Sequence, residues 1–253
     1  MMDDVTIDDC LSGAIKVVQP KSGYRAGIDP ILLAASIPAK FGQSVLELGC
    51  GVGTASLALA HRVAGLNITV VEVQPSYAKL ALRNADLNNL PLSVVCADLA
   101  ELPSEIRDQQ FDHVFANPPY FDRKSSTPSD DIGRDRAIGE NDELNMWLSV
   151  AAKRVKPKGY VHFIFRTERM DEFLRLMPNS LGSRVITPIV PRHGRQSTLF
   201  MAHACKNGQA AFRLESPLIL HKGEFHQQDG EDYSQKISKV LRDGDALTDW
   251  FRK

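Results

Sequence analysis

The sequence predicts an α/β fold: a mostly parallel sheet of seven strands, with an antiparallel hairpin at one edge and a short N-terminal cap. Three observations predict it. Short apolar runs rich in Val, Ile and Leu alternate with stretches of helical periodicity, as buried parallel strands do. The first such run leads directly into a glycine loop, Gly49-Cys50-Gly51-Val52-Gly53, and then into a helix-forming stretch. Four successive strands each end at a polar residue, Glu47, Glu72, Asp98 and Asn117. That is the carboxyl edge of the sheet, where open α/β folds bind their ligands.

The elements follow in order. Residues 1–40 read as a cap with one helix near Asp29–Ile37, separated from the first strand by Pro38 and Gly42. The strand over Ser44–Leu48 enters the glycine loop, and Thr54–Val63 reads as a helix. Ile68–Val73 and Leu92–Cys96 are the second and third strands, and Phe111–Ala116 the fourth. Residues 121–141 have the composition and length of an active-site loop. A helix over Glu143–Val155 precedes the fifth strand, Gly159–Phe165, and another helix spans Glu168–Met177 before Pro178 stops it. Arg184–Val190 and Ser197–Ala204 form the predicted edge hairpin. Phe212–Leu220 reads as a further strand, and Tyr233–Leu241 as a short helix. This divides a single domain, 1–253, into a cap (1–40), a core (41–206) and a C-terminal extension (207–253).

Asn117-Pro118-Pro119-Tyr120 carries the chemistry. An exocyclic amine or carboxamide nitrogen is a poor nucleophile because its lone pair is delocalised. Acceptors aimed at its hydrogens stabilise the positive charge that develops when the nitrogen attacks. The Asn117 side-chain oxygen and the Pro118 carbonyl are two such acceptors. Pro119 keeps the turn rigid and offers no N–H, and Tyr120 supplies a flat face for stacking. Upstream, the glycine loop lacks the G-x-G-x-x-G spacing of a nicotinamide site. It carries Glu47 two positions before Gly49, which suits a ligand with a cationic ammonium group. Glu72, 23 residues after Gly49, can accept from both hydroxyls of a ribose. Asp98 is placed to accept from an adenine amino group.

These motifs resemble the class I S-adenosylmethionine-dependent methyltransferases, whose fold is Rossmann-like, and within them the NPPY group acting on planar nitrogen. The resemblance extends to the bacterial tRNA adenine-N6 methyltransferase family through Leu11-Ser12-Gly13-Ala14-Ile15-Lys16-Val17-Val18-Gln19-Pro20 and Gly23-Tyr24-Arg25-Ala26-Gly27-Ile28-Asp29-Pro30-Ile31-Leu32-Leu33. The stretch Pro191–Leu220 resembles it more loosely. The resemblance implies S-adenosylmethionine as cofactor and RNA, tRNA above all, as partner. It implies cofactor roles for Gly27, Asp29, Glu47, Gly49, Cys50, Gly51, Gly53, Glu72, Val73, Asp98 and Leu99. Asn117 would serve both cofactor and target, with Tyr120 stacking on the base. Two readings keep the chemistry and change the substrate, to a protein glutamine amide or to DNA adenine. Another makes the chain an inactive cofactor-binding module. Only 40 residues precede the first strand, too few for the separate helical domain usual in the glutamine enzymes.

Composition sets the outer limits. With 253 residues, 43% of them hydrophobic, the chain can bury a single core. It has no 18-residue apolar run, and its acidic start, Met1-Met2-Asp3-Asp4, lacks the apolar region of a signal peptide. Cys10, Cys50, Cys96 and Cys205 lack metal-ligand spacing and read as reduced thiols, which places the protein in the cytoplasm. The seven histidines form no HxxxH or HExxH pattern, so no metal site is expected. Net charge is −1, but it is divided unevenly. Residues 1–130 hold 10 Lys+Arg against 15 Asp+Glu, and residues 131–253 hold 20 against 16. A cofactor half and an RNA-facing half would produce that asymmetry. Lys153–Lys158 reads as solvated charge at a helix end, whereas Arg192-His193-Gly194-Arg195 lies in a turn between strands.

Overall fold

A computed structural model describes residues 4–119, 140–223 and 232–252. In the cap, β1 (Val5–Cys10) pairs antiparallel with β2 (Ile15–Pro20), and α1 (Asp29–Ser36) follows. The core then runs β3 (Ser44–Leu48), α2 (Thr54–Arg62), β4 (Asn67–Glu72), α3 (Pro75–Leu87), β5 (Ser93–Cys96), α4 (Ser104–Arg107) and β6 (Phe111–Ala116). It continues with α5 (Glu140–Arg154), β7 (Val155–Arg166), α6 (Met170–Leu176), β8 (Leu181–Val190) and β9 (Leu199–Lys206). Two short strands, β10 (Arg213–Leu214) and β11 (Leu218–Ile219), precede α7 (Gln235–Asp243).

The main sheet has the order β10-β8-β9-β7-β6-β3-β4-β5, with β11 also on β8. Its seven long strands are those expected, and β9 alone among them runs antiparallel, between β7 and β8. Strand order reverses at β3, which pairs in parallel with both β4 and β6. That reversal is the topological switch point where such sheets open a ligand crevice. Apolar side chains pack on both faces. The cap, α1, α2, α3 and α7 contribute to one cluster, and α5 and α6 to the other.

Three features differ from the sequence-based expectation. The cap contains a β-hairpin as well as its helix. The segment expected as one strand at Phe212–Leu220 is two two-residue strands lying parallel to β8. The basic run at 153–158 straddles the end of α5 and the start of β7, and Lys156 is structural. Its ammonium donates to Asp112 at 2.9 Å and to Ser44 at 3.2 Å.

The cap is held to the core by two asparagines one helical turn apart, Asn84 within α3 and Asn88 capping its C-terminus. Asn84 accepts from the Val18 N–H at 2.8 Å and donates to the carbonyls of Val18 and Val52. Asn88 accepts from the Lys16 N–H and donates to the Lys16 carbonyl. Together they pair the free edge of β2 as a neighbouring strand would, and Asn84 also reaches the glycine loop through Val52. Arg25 then ties the chain after β2 back to the hairpin, donating to Asp8, Thr6 and the Pro20 carbonyl. Gln19 accepts from the Ala26 N–H.

Away from the carboxyl edge, three buried histidines form a ladder across β6, β7 and β9. His113 Nε2 lies 3.2 Å from Gln43 Oε1, which already accepts from the Lys40 N–H. His113 must therefore donate there. His162 then donates from Nε2 to His113 Nδ1 (3.0 Å), and His203 from Nδ1 to His162 Nδ1 (2.9 Å). His203 Nε2 is left without a described partner, and its ring stacks on Trp250 at 3.9 Å. Burial lowers His113 to about 4 and His203 to about 3, and holds His162 well below its usual value. All three are neutral at pH 7.

Candidate functional site

Parallel register sets the four strand-end residues in one row. Glu47 and Leu48 of β3 lie opposite Val70 and Val71 of β4. Leu48 also lies opposite Ala116 of β6, and Glu72 of β4 opposite Cys96 of β5. Across the edge the order is therefore Asp98, Glu72, Glu47, Asn117. At about 4.8 Å per strand the row spans roughly 14 Å.

The glycine loop covers the middle of this row. Gly49, Gly51 and Gly53 all have left-handed φ, at +63°, +56° and +85°, a region that glycine enters without steric cost. Close approach adds a second reason for one of them, Gly49. A Cβ on Gly49 would sit 2.2 Å from the Trp147 ring of α5, and one on Gly51 would sit 3.4 Å from the Tyr24 ring of the cap. The loop is held from below by Glu72, which accepts from the Gly51 N–H at 2.8 Å and from the Gln74 N–H at 2.9 Å. Glu47 is buried and accepts from the Ser56 hydroxyl. Burial, with a smaller contribution from Glu72, raises it to about 8 against the hydrogen bond from Ser56. It is thus largely protonated at neutral pH, and a nearby cation would favour its ionised form. Burial first, then Glu47 and Glu72, pushes the Cys50 thiol well up, so Cys50 acts as an inert space-filler.

At the outer end, Asp98 accepts from the Ala100 N–H at 2.9 Å, Leu99 is buried behind it, and Val73 stands 49% exposed as an apolar surface beside Glu72. At the other end, Asn117 Oδ1 is buried with no hydrogen-bond partner among the described residues. A buried acceptor left unmet costs free energy. Its position directly after β6 marks where a donor belongs. Pro118 is buried and Pro119 exposed. Asp29 opens α1 on the cap side, while Gly27 just before it is exposed, and a Cβ there would meet nothing within 4 Å. Tyr120 and residues 121–139 of the expected loop lie outside the described residues.

The sequence reading missed two side chains, Tyr24 and Trp147, that enclose the glycine loop from opposite sides. Neither carries a motif of its own, and only the positive φ values of the glycines they touch single them out. Of the basic residues between β8 and β9, Arg192 is internal: it pairs with Asp232 and donates to the Lys222 carbonyl, and Asp232 also pairs with His221. His193 and Arg195 are exposed. Among the described residues no cluster of His, Cys, Asp and Glu could hold a metal ion, and no helix is long and apolar enough to cross a membrane.

Residues 26–133 match the methyltransferase small domain family. A Shewanella baltica protein named tRNA1(Val) (adenine(37)-N6)-methyltransferase is 31% identical over 233 residues, 87% of this chain and 92% of its own. A Haemophilus influenzae protein of the same name is 32% identical over 155 residues, 59% of this chain, and the match spans 65% of the relative's length. Among solved structures, an Agrobacterium tumefaciens protein described as a predicted O-methyltransferase superposes with a TM-score of 0.70 at 22% identity, covering 87% of this chain and 98% of its own. The Thermus thermophilus 16S rRNA N2 G1207 methyltransferase superposes with a TM-score of 0.56 at 19% identity, covering 80% and 50%. At these identities the structural matches speak to the fold alone.

Proposed function

Because the chain belongs to the family of S-adenosylmethionine-dependent methyltransferases, we propose that it methylates the exocyclic N6 of an adenine in tRNA. The observation that carries this reading is Asn117 Oδ1 at the end of β6, buried without a hydrogen-bond partner among the described residues. S-adenosylmethionine supplies the methyl group, activated as a sulfonium. The residues present fit such a cofactor: a glycine loop with no room for side chains at Gly49, two buried carboxyl groups beneath it, and Asp98 two strands away along the edge.

In this reading Glu72 accepts from the ribose, Asp98 from the adenine, and Glu47 compensates the ammonium. Gly27 and Asp29 flank the methionine end, Gly49–Gly53 carries the cofactor on its backbone, and Val73 and Leu99 border its adenine. An unpaired or flipped target adenine stacks on Tyr120 and donates its amino hydrogens to Asn117 Oδ1 and the Pro118 carbonyl. Those acceptors draw charge from the nitrogen as it attacks, and Pro119 holds them in place. Catalysis is then positioning plus charge stabilisation. The basic half of the chain and the names of its relatives support an RNA substrate and a cytoplasmic setting. We treat the whole chain as one domain. The Leu247 N–H donates to the Ala35 carbonyl and Trp250 Nε1 to Ser36, tying the C-terminal extension to the cap helix.

The test is transfer of labelled methyl from S-adenosylmethionine to total small RNA and, separately, to total protein, followed by nucleoside analysis. N6-methyladenosine in tRNA is expected. Label in protein would move the substrate to a glutamine amide, and label in neither would contradict the RNA reading.

A further inference from the structure

The cap contributes one side chain to the glycine loop that no motif explains. Tyr24 lies between β2 and α1, and its Cε1 is the nearest heavy atom to a Cβ built on Gly51, at 3.4 Å. Tyr24 is 47% exposed, yet the chain around it is fixed. Its carbonyl accepts from the Tyr77 hydroxyl of α3 at 3.2 Å, and a Cβ on the preceding Gly23 would sit 3.0 Å from that same hydroxyl. On the other side, Arg25 is tied to Asp8, Thr6 and the Pro20 carbonyl. The structure thus holds an exposed aromatic on an anchored segment beside the glycine loop. Burial first, then Glu47, Asp29, Tyr77 and Glu72, pushes the phenol up to about 12. The ring therefore stays neutral, and the carboxyl groups of Glu47, Asp29 and Glu72 within electrostatic reach make a setting that favours a cation.

We infer that Tyr24 is a cofactor-positioning residue whose ring faces the cationic end of S-adenosylmethionine and favours it over the uncharged product S-adenosylhomocysteine. The two molecules differ in one methyl group and one positive charge on sulfur, so a contact with the ring quadrupole is felt by the first and largely lost with the second. The residue thus assists both loading of the methyl donor and release of the spent product. The inference rests on the reading of the glycine loop and Glu72 as the cofactor cradle.

Calorimetric titration of both molecules into the wild type, Tyr24→Leu, Tyr24→Phe and Glu72→Ala tests it, with a melting curve for each variant. Tyr24→Leu is expected to weaken S-adenosylmethionine roughly threefold to tenfold, to leave S-adenosylhomocysteine nearly unchanged, and to raise KM for the donor without lowering kcat. Tyr24→Phe keeps the ring and is expected to bind both as the wild type does. Equal weakening of both molecules in Tyr24→Leu, or a Phe variant as weak as the Leu variant, would overturn the assignment. If Glu72→Ala weakens binding and Tyr24→Leu does not, the inference about Tyr24 alone falls. If Glu72→Ala leaves binding intact, the cradle reading falls and takes the inference with it.

Discussion

Buried ionisable residues give this protein a stability that depends on pH from two sides. Glu47 is held at about 8 when folded against 4.5 for an ordinary glutamate. Between those values the folded state keeps a proton that the unfolded chain has lost. Its contribution is complete below pH 4.5 and declines as pH rises toward 8. The histidines act in the opposite sense. His113, His162 and His203 stay neutral when folded but charge below about 6.5 when unfolded, so their contribution is complete above that value and is lost as pH falls. Each group changes stability by about 1.4 kcal/mol per pH unit inside its own window. Three histidines outweigh one glutamate where the windows overlap. The thermal midpoint of the unliganded protein should therefore peak near pH 6.5, falling on both sides. Glu47→Gln should flatten the decline between pH 6.5 and 8, and a decline in that window that survives the substitution would contradict the assignment. The position of Glu47 was legible in the sequence from its spacing to Gly49. Its neutrality was not, because that comes from tertiary burial, which outweighs the hydrogen bond from Ser56. The place of Asn117 was legible, since an apolar strand running into Asn-Pro-Pro sets it at the carboxyl end of β6.

The elements nearest the site depend on α3. Asn84 is fully buried and satisfies three backbone groups, Val18 N–H, Val18 C=O and Val52 C=O. Asn84→Ala should cost roughly 2–3 kcal/mol, because it leaves those groups unmet. In a chain of this size that lowers the thermal midpoint by about 5–10 °C. Asn88→Ala lies at the exposed end of the same pairing and should cost less; a reversed ranking in the melting curves would contradict this account of the cap. The pairing was not readable beforehand. Asparagines four apart on a helix look like a solvated face, and the strand they serve was itself missed. The hairpin of β1 and β2 is masked by acidic residues in β1, and its turn relies on left-handed backbone at Leu11, Ser12 and Gly13, of which only the glycine advertises such a conformation. The core strands were readable because burial on both faces demands near-continuous Val, Ile and Leu.

The whole molecule is organised around the reversal of strand order at β3. Because β3 pairs with β4 on one side and β6 on the other, the residues assigned to the cofactor and the one assigned to the target amine share one sheet edge, with Asn117 at its β6 end. The sequence shows the row of strand ends but not its spatial order, since strand order is a tertiary property that chain order does not reveal. The cap and the C-terminal extension close over the same face of the sheet, which is why two segments far apart in sequence contribute to one apolar cluster. This separation of binding from chemistry is the central claim. It is tested most directly by Asn117→Ala, measuring S-adenosylmethionine affinity by calorimetry and methyl transfer to small RNA in a single turnover. Transfer should fall by at least about a hundredfold, the scale of losing one charge-stabilising group, while cofactor affinity stays close to that of the wild type. Loss of affinity together with transfer, or transfer that persists, would contradict it.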